Sequence, residues 1–514
     1  TLTDSSAASD VYKRQVIVST DDEEIALMAE RFGASALIRP ESLADDSTTL
    51  DPVILHAFNE VESREQSTFN KIVTVQPTSP LVTAEDIDSV IDKLKGDIVT
   101  VLTAVDDRHL CWTSKDGKFL PNYSERVNRQ RLPANFKETG AVIGCVRSQM
   151  LTGTRIGEMV DLHIIPNDRS FDIDNFSDLY LCEAILNRKR IVFTVVGYPE
   201  VGLGHAYRAV MIANELVVNE LIFVCEERSE LAVSYIKSMN FNVVSCPDGA
   251  LAKTVNDLQP DLIINDILDT SETYMHSLNK LKSKVVNFED LSSASLSADL
   301  VINALYPFQT SSNKVLSGHN YFCLRDEFLY LPQREYTNEV KNLLITFGGV
   351  DEGNLTKRTL DLISPYCLES DITIYVITGP GYAHHASLEV YLNSFKNIKI
   401  VKNTKRISDF MAMSDIAITS GGRTVLELAG VGVPPIVICQ NERETKHTFA
   451  CKENGVINLG YRKNVTDTDI INAFKSLAFD LNTRAECVKK MNSMDLMSGK
   501  KRVIKRIKEL LEEQ

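Results

Sequence analysis

From Val16 onward the chain alternates short β-branched runs with amphipathic stretches, and that alternation restricts it to α/β architectures. Extended runs are expected at Val16–Ser19, Ile72–Gln76, Ile98–Val105, Ala141–Val146 and His163–Pro166. Helices are expected at Asp22–Phe32, Leu50–Val61, Ala84–Leu94 and Asn175–Leu186. Strands separated by helices imply a mostly parallel sheet covered on both faces, because a parallel connection needs a crossover long enough to hold a helix. After the basic run Asn187–Arg190 the pattern restarts: Ile191–Val196 opens a fresh strand, Gly-rich turn and helix, and Leu343–Gly349 opens another. The expected division is therefore 16–190, 191–336 and 337–514. The last segment closes on a Lys/Glu-rich helix, Lys500–Glu513, with Val503, Ile504, Ile507, Leu510 and Leu511 at helical spacing.

Charge narrows the partners. With 55 Lys plus Arg against 70 Asp plus Glu, the formal charge is -15, which argues against nucleic acid as the main partner. The longest apolar stretches, such as Val433–Cys439, fall far short of the roughly 18 to 20 residues that span a bilayer. The expectation is a soluble cytoplasmic protein with reduced core thiols, since none of the 10 cysteines forms a C-x-x-C pair. Association into a homo-oligomer stays open. Residues 1–15, TLTDSSAASDVYKRQ, show no periodicity and run straight into a strand at full strength, so they are expected to be a non-native leader, with the chain starting in the middle of a fold.

Three polar clusters of the first segment stand at strand ends, where open α/β sheets bind ligands: Ser19–Asp22, Gln76–Leu81 and Phe171–Asp174. Two aspartates separated by one residue in an extended stretch project to one face, so Asp172 and Asp174 can jointly present oxygens to a divalent cation. Mg2+ is the natural guest, because it keeps several waters and binds one or two carboxylates together with substrate phosphates. The competing reading has Asp174 capping a helix that starts at Asn175.

In the second segment, Gly202 and Gly204 permit a tight turn that puts His205 at a helix N-terminus, where anions bind and a histidine can act as general base. A packing role for the turn is the alternative. In the third, strand Ile416–Thr419 leads into Ser420-Gly421-Gly422-Arg423-Thr424 and a helix carrying Glu427. Gly421 and Gly422 offer backbone N–H groups to a diphosphate, and Glu427 lies one helical turn on, where it can accept from ribose hydroxyls or simply face solvent. Paired Gly-rich turns in successive α/β units describe a cleft, the usual place for a small-molecule site.

The segments VIVSTDDEEIA, LIRPESLADD, VQPTSPL, RQRLP and FDIDNFSDL resemble the acylneuraminate cytidylyltransferases, over about Val16 to Arg188. That resemblance implies CTP and a nonulosonic acid as substrates, Mg2+ on Asp172 and Asp174, Ser19 near the nucleotide, and Gln76 and Arg129 toward the sugar acid. A guanidinium at Arg129 suits a carboxylate partner, although an ordinary surface arginine fits the same loop. The chain departs from the family at Val82, Thr139 and Ile143. The segments GLGHAYR, ADLVINALY, LRDEF, LLITFGGVD and SGGRTVLELAGVGVP, within about Val192 to Gly460, resemble the glycosyltransferase-like sugar-nucleotide hydrolases of the pseudaminic acid pathway. On that likeness His205 is catalytic, and the last segment, with Glu427, binds the UDP of a UDP-sugar. Where the family carries Asn-Gln, this chain has Arg443-Glu444. The remaining histidines, His447 among them, read as structural.

Together these features imply an α/β chain: a Rossmann-like nucleotidyltransferase domain followed by a GT-B-like pair of Rossmann-like units. The expected activity is bifunctional, CMP transfer by the first part and UDP-sugar hydrolysis by the rest. A polysaccharide glycosyltransferase and a non-catalytic sugar-nucleotide-binding protein are the alternatives.

Overall fold

The computed structural model describes residues 15–45, 47–307, 312–331 and 337–513, without the side chains of residues 392 and 393. The expected leader lies outside the described residues except for Gln15. Two compact units divide the chain between Asn187 and Arg188.

The first unit runs β1 (Ile17–Thr20), α1 (Glu23–Arg31), β2 (Ser35–Ile38), α2 (Leu50–Glu65), β3 (Lys71–Val75), α3 (Ala84–Lys93), β4 (Thr100–Asp106), β5 (Trp112–Lys115), β6 (Lys118–Pro121), β7 (Phe136–Val146), α4 (Arg147–Met150), β8 (Val160–Ile164) and α5 (Phe176–Leu186). Helix starts follow side-chain chemistry: Asp22 accepts the N–H of Glu24 and Ile25 before α1, and Thr83 with Asp86 forms a capping box at α3. β1 and β2 make a parallel pair, and a four-stranded sheet has the order β3-β7-β4-β8. In that sheet β7 runs antiparallel to both β3 and β4, while β4 and β8 are parallel. The reversal has a local cause. The link from β4 to β7 holds the β5–β6 hairpin and no crossover helix, so the chain returns in the opposite direction. Val90, Leu94, Val101, Ala141 and Val142 form the core between α3 and this sheet.

The second unit continues with β9 (Arg190–Val195), α6 (Gly204–Asn214), β10 (Glu220–Glu226), α7 (Glu230–Ser238), β11 (Asn242–Cys246), α8 (Leu251–Leu258), β12 (Leu262–Asp266), α9 (Glu272–Leu278), β13 (Lys284–Phe288), β14 (Leu300–Asn303), β15 (Val315–Ser317) and α10 (Asp326–Leu329). Then come β16 (Asn342–Thr346), α11 (Leu355–Glu369), β17 (Thr373–Thr378), α12 (His385–Ser394), β18 (Ile398–Lys402), α13 (Ile407–Met413), β19 (Ile416–Thr419), α14 (Thr424–Gly430), β20 (Pro435–Cys439), β21 (Ile457–Tyr461), α15 (Asp467–Phe479), α16 (Leu481–Asn492) and α17 (Gly499–Glu512). Its two sheets are parallel throughout, ordered β11-β10-β9-β12-β13-β14-β15 and β18-β17-β16-β19-β20-β21. These are two doubly wound, Rossmann-like sheets in the GT-B-like arrangement expected from the sequence. The strands are continuous apolar runs such as Ile191-Val192-Phe193, as sheets buried on both faces require.

The closing helix explains how the last residues serve the first sheet. Val503, Ile504, Ile507 and Leu510 of α17 join the core formed by Ile191, Phe193, Phe223 and Phe288. Its apolar stripe, legible in the sequence, is thus spent on the sheet most distant from it in the chain of the second unit. Among the described residues no helix is long and apolar enough to cross a membrane.

Candidate functional site

In a doubly wound sheet a crevice opens where consecutive strands depart to opposite sides. In the first sheet of the second unit that point lies between β9 and β12, and in the second between β16 and β19. The Gly-rich turns follow β9, β16 and β19. Gly202 has φ of 77° and Gly348 of 79°, left-handed values that favour glycine. The turns approach one another closely: a Cβ on Gly349 would stand 3.7 Å from Gly202 Cα, one on Gly204 3.3 Å from Arg423 Cδ, and one on Gly348 3.9 Å from Ser420 Oγ. The turns after β9, β16 and β19 therefore meet at one place, at the start of α14.

His205 sits in the first turn of α6, with 15% of its side chain exposed, and its Nδ1 lies 2.5 Å from Oδ1 of Asp266. Asp266 ends β12, opposite Val195 of β9, and is fully buried. Arg208, three residues past His205 on the same helix, donates from Nε and Nη2 to the same carboxylate at 2.7 and 2.5 Å. Burial alone would raise the Asp266 pKa, but the Arg208 guanidinium, with His205, outweighs it and holds the carboxyl below its ordinary range. Arg208 continues to Glu289 at 3.3 Å, and its guanidinium lies 5.1 Å above the Phe288 ring. Glu289, with φ of 51°, accepts the N–H groups of Ala304 and Leu305, yet burial still pushes its carboxyl up.

In the second sheet two of the expected ligand contacts have partners within the chain. The Gly421 N–H donates to Glu444 Oε2 at 3.0 Å, which also accepts the Gln440 N–H at 2.7 Å. Glu427 does not face open cleft: it is buried, and Oε1 accepts Arg325 Nε at 3.1 Å. Position 427 is one turn into a helix that packs on the sheet, so its carboxylate needed an internal cation. Gly422 keeps open space around it, with nothing within 4 Å of a Cβ placed there. Arg423 donates from Nη2 to the Cys323 carbonyl at 3.0 Å and lies 4.7 Å above the Phe322 ring. Arg443, the departure noted in the sequence, crosses to the first sheet, reaching Asp269 at 3.1 Å and the Glu289 carbonyl at 2.5 Å.

In the first unit the structure brings together Asp172 and the Gln76–Leu81 turn. Asp172 Oδ1 accepts the Ser79 hydroxyl at 3.3 Å, and the Ile173 N–H donates to the Thr78 carbonyl at 2.8 Å. Gln76 folds over Gly140, whose added Cβ would lie 2.9 Å from Gln76 Oε1. Asp172 is half-buried and Asp174 exposed. Asn175, not Asp174, caps α5, accepting the N–H groups of Ser177 and Asp178, so the capping alternative for Asp174 falls away. Among the described residues no cluster of three or more His, Cys, Asp or Glu could hold a metal. Two carboxylates separated by one residue are nonetheless a donor set of the kind Mg2+ takes, with its shell completed by solvent and substrate. Ser19 is the penultimate residue of β1, with its hydroxyl buried and, among the described residues, unpartnered. Arg129 stands exposed on a 3₁₀ turn, and among the described contacts none joins it to Gln76, Asp172 or Asp174.

Sequence reasoning singled out His205 but gave no role to Asp266, Arg208 or Glu289. The available signals were an aspartate at the C-terminal end of an apolar strand, Leu262-Ile263-Ile264-Asn265-Asp266, and an arginine on the His205 face of α6.

Known proteins divide along the same line. Residues 4–138 match the family model Cytidylyltransferase, and residues 344–507 match that of the Glycosyltransferase family 28 C-terminal domain. The chain joins a cytidylyltransferase-like domain to a glycosyltransferase-like one. Asp172 and Asp174 lie beyond the first matched range. The chain is 32% identical over 275 residues to an uncharacterized protein of Methanocaldococcus jannaschii, covering 49% of this chain and 56% of that protein, little more than half its length. It is 24% identical over 297 residues to the spore coat polysaccharide biosynthesis protein SpsG of Bacillus subtilis, covering 54% of this chain and 86% of that one. Over 193 residues it is 24% identical to the CMP-N,N'-diacetyllegionaminic acid synthase of Campylobacter jejuni, with 35% and 79% covered.

Proposed function

We propose that the second unit cleaves the anomeric linkage of a nucleotide sugar, a UDP-sugar by the likeness of its turns, and that the first unit transfers CMP from CTP to a nonulosonic acid. The observation that carries the first half is His205, bonded to a buried carboxylate at the switch point of one sheet and carried on a Gly-rich turn that meets those of the other. In the reaction, water attacks the anomeric carbon, His205 takes the water proton, and the bond to the UDP oxygen breaks. General-base help of this kind is worth about 10² to 10⁴ in rate.

Polysaccharide glycosyl transfer differs only in the nucleophile: an acceptor hydroxyl replaces water. The family 28 match and the polysaccharide role in the name of the Bacillus subtilis relative favour that second reading. In the first unit, Asp172 and Asp174 would hold Mg2+, which supplies charge neutralisation at the CTP phosphates. Gln76, Ser19 and Arg129 would contribute contacts to nucleotide and sugar acid.

The deciding experiment titrates the protein with UDP in a calorimeter and follows UDP release from UDP-sugars, with and without acceptor glycans. Release in water alone marks a hydrolase, and release only with acceptor marks a transferase. UDP release undiminished in His205→Asn would remove the catalytic assignment, and failure to bind UDP would remove the substrate class.

A further inference from the structure

The chain itself decides which nitrogen of His205 is reactive. Oδ1 of Asp266 receives both His205 Nδ1 and Arg208 Nη2 at 2.5 Å, and Oδ2 receives Arg208 Nε at 2.7 Å. An ionised carboxylate only accepts hydrogen bonds, so the nitrogen that faces it must carry the hydrogen. His205 and Arg208 rise from one face of α6 and grip one fully buried carboxylate. The clamp is itself fixed, by Glu289 on one side and by the Phe288 ring beneath the guanidinium. Arg443 ties the Glu289 carbonyl to the opposite sheet.

We propose that Asp266 is the positioning residue of this cleft and Arg208 the clamp that holds it. Together they fix His205 in the tautomer with hydrogen on Nδ1 and leave the Nε2 lone pair to take a proton from water or an acceptor hydroxyl. The proton transfer rests on the nucleotide-sugar reading, whereas the tautomer does not. Asn at position 266 would break the arrangement in either orientation. With its amide nitrogen in the Oδ2 place, it opposes the Arg208 Nε–H. In the Oδ1 place it opposes Nη2–H and donates to Nδ1, which moves the imidazole hydrogen to Nε2 and blocks the base.

The test is nitrogen-15 NMR of the labelled full chain at pH 8, with the His205 signal identified by its loss in His205→Asn. The expected wild-type state is Nδ1–H with a bare Nε2. In Asp266→Asn the Nδ1–H tautomer is no longer enforced, so an Nε2–H signal emerges where the amide nitrogen takes the Oδ1 place and the Arg208 clamp is broken where it takes the Oδ2 place. With base or clamp lost, UDP release falls about a hundredfold or more, by the worth of general-base catalysis, while UDP affinity stays within about threefold. A wild-type His205 carrying its hydrogen on Nε2 overturns the proposal whether or not the variant folds, and so does undiminished turnover by folded Asp266→Asn. If the wild-type tautomer is as expected and no nucleotide sugar is cleaved, the positioning pair stands and the proposed reaction falls.

Discussion

Glu444 Oε2 lies 3.0 Å from the Gly421 nitrogen and accepts its hydrogen bond, so the turn before α14 holds an internal carboxylate where a ligand anion would be expected. Burial pushes the Glu444 carboxyl up, and the Gln440 and Gly421 N–H groups pull against that rise. Glu444→Gln keeps an acceptor for both N–H groups and removes the charge. Its expected effect is tighter UDP binding, by about two- to tenfold, the scale of one partly screened repulsion. Glu444→Ala instead strands two backbone donors and should cost about 1 to 3 kcal/mol in denaturant unfolding. Unchanged or weaker UDP binding in Glu444→Gln would mean that the carboxylate does not oppose the ligand.

The two glycines of the same turn should behave differently. A Cβ on Gly421 would stand 3.0 Å from both Cys439 Sγ and Glu444 Cβ, whereas one on Gly422 meets nothing within 4 Å. Gly421→Ala should therefore destabilise the protein by about 1 to 3 kcal/mol through overpacking, and Gly422→Ala should stay within roughly 0.5 kcal/mol of wild type. Equal melting temperatures for the two variants would contradict this packing.

Strand and helix alternation made the α/β class and the two parallel sheets of the second unit legible from residue types alone. The reversal of β7 was not, because direction depends on what connects two strands, and the short, exposed hairpin in the β4–β7 link carries no buried face whose period would reveal it. His205 was visible because its turn is local. Its partner was not, since Asp266 is joined to it only by the pairing of β9 with β12, and an aspartate ending an apolar strand has many ordinary explanations. The partner of Glu427 was hidden for a related reason: helical spacing fixes which turn a residue occupies but not which cation, here Arg325, folds back onto it.

At the start of α5 the cap and the candidate metal ligands can be separated experimentally. Asn175 holds the helix end, so Asn175→Ala should lower stability by about 1 kcal/mol with little effect on metal response. Asp174→Asn and Asp172→Asn should leave thermal stability nearly unchanged, and wherever CMP transfer is measurable they should weaken its Mg2+ dependence. A large stability loss in Asp174→Asn with metal response intact would return that residue to a structural role.

His447 gives the second unit a defined acid sensitivity. Its ring is 4% exposed, and Nδ1 accepts the N–H groups of Phe449 and Ala450 at 3.2 and 3.3 Å. Burial pushes its pKa down from 6.5 to about 4. Protonation would place a second N–H against two backbone donors, so the folded state holds the ring neutral. The sign follows from linkage. Between about pH 6.5 and pH 4 the unfolded chain binds a proton that the folded chain refuses, so stability from this group is complete above 6.5 and is lost as pH falls toward 4. The full loss is about 3 kcal/mol, and no more follows below pH 4. Carboxylates titrate in the same range, so the informative quantity is a difference between two proteins. In His447→Gln the amide oxygen can still accept the Phe449 and Ala450 N–H groups but binds no proton. Urea unfolding from pH 7 to pH 4 should therefore give a curve for His447→Gln that is flatter than wild type by about that amount. Parallel curves would show that His447 is not held neutral in the folded protein.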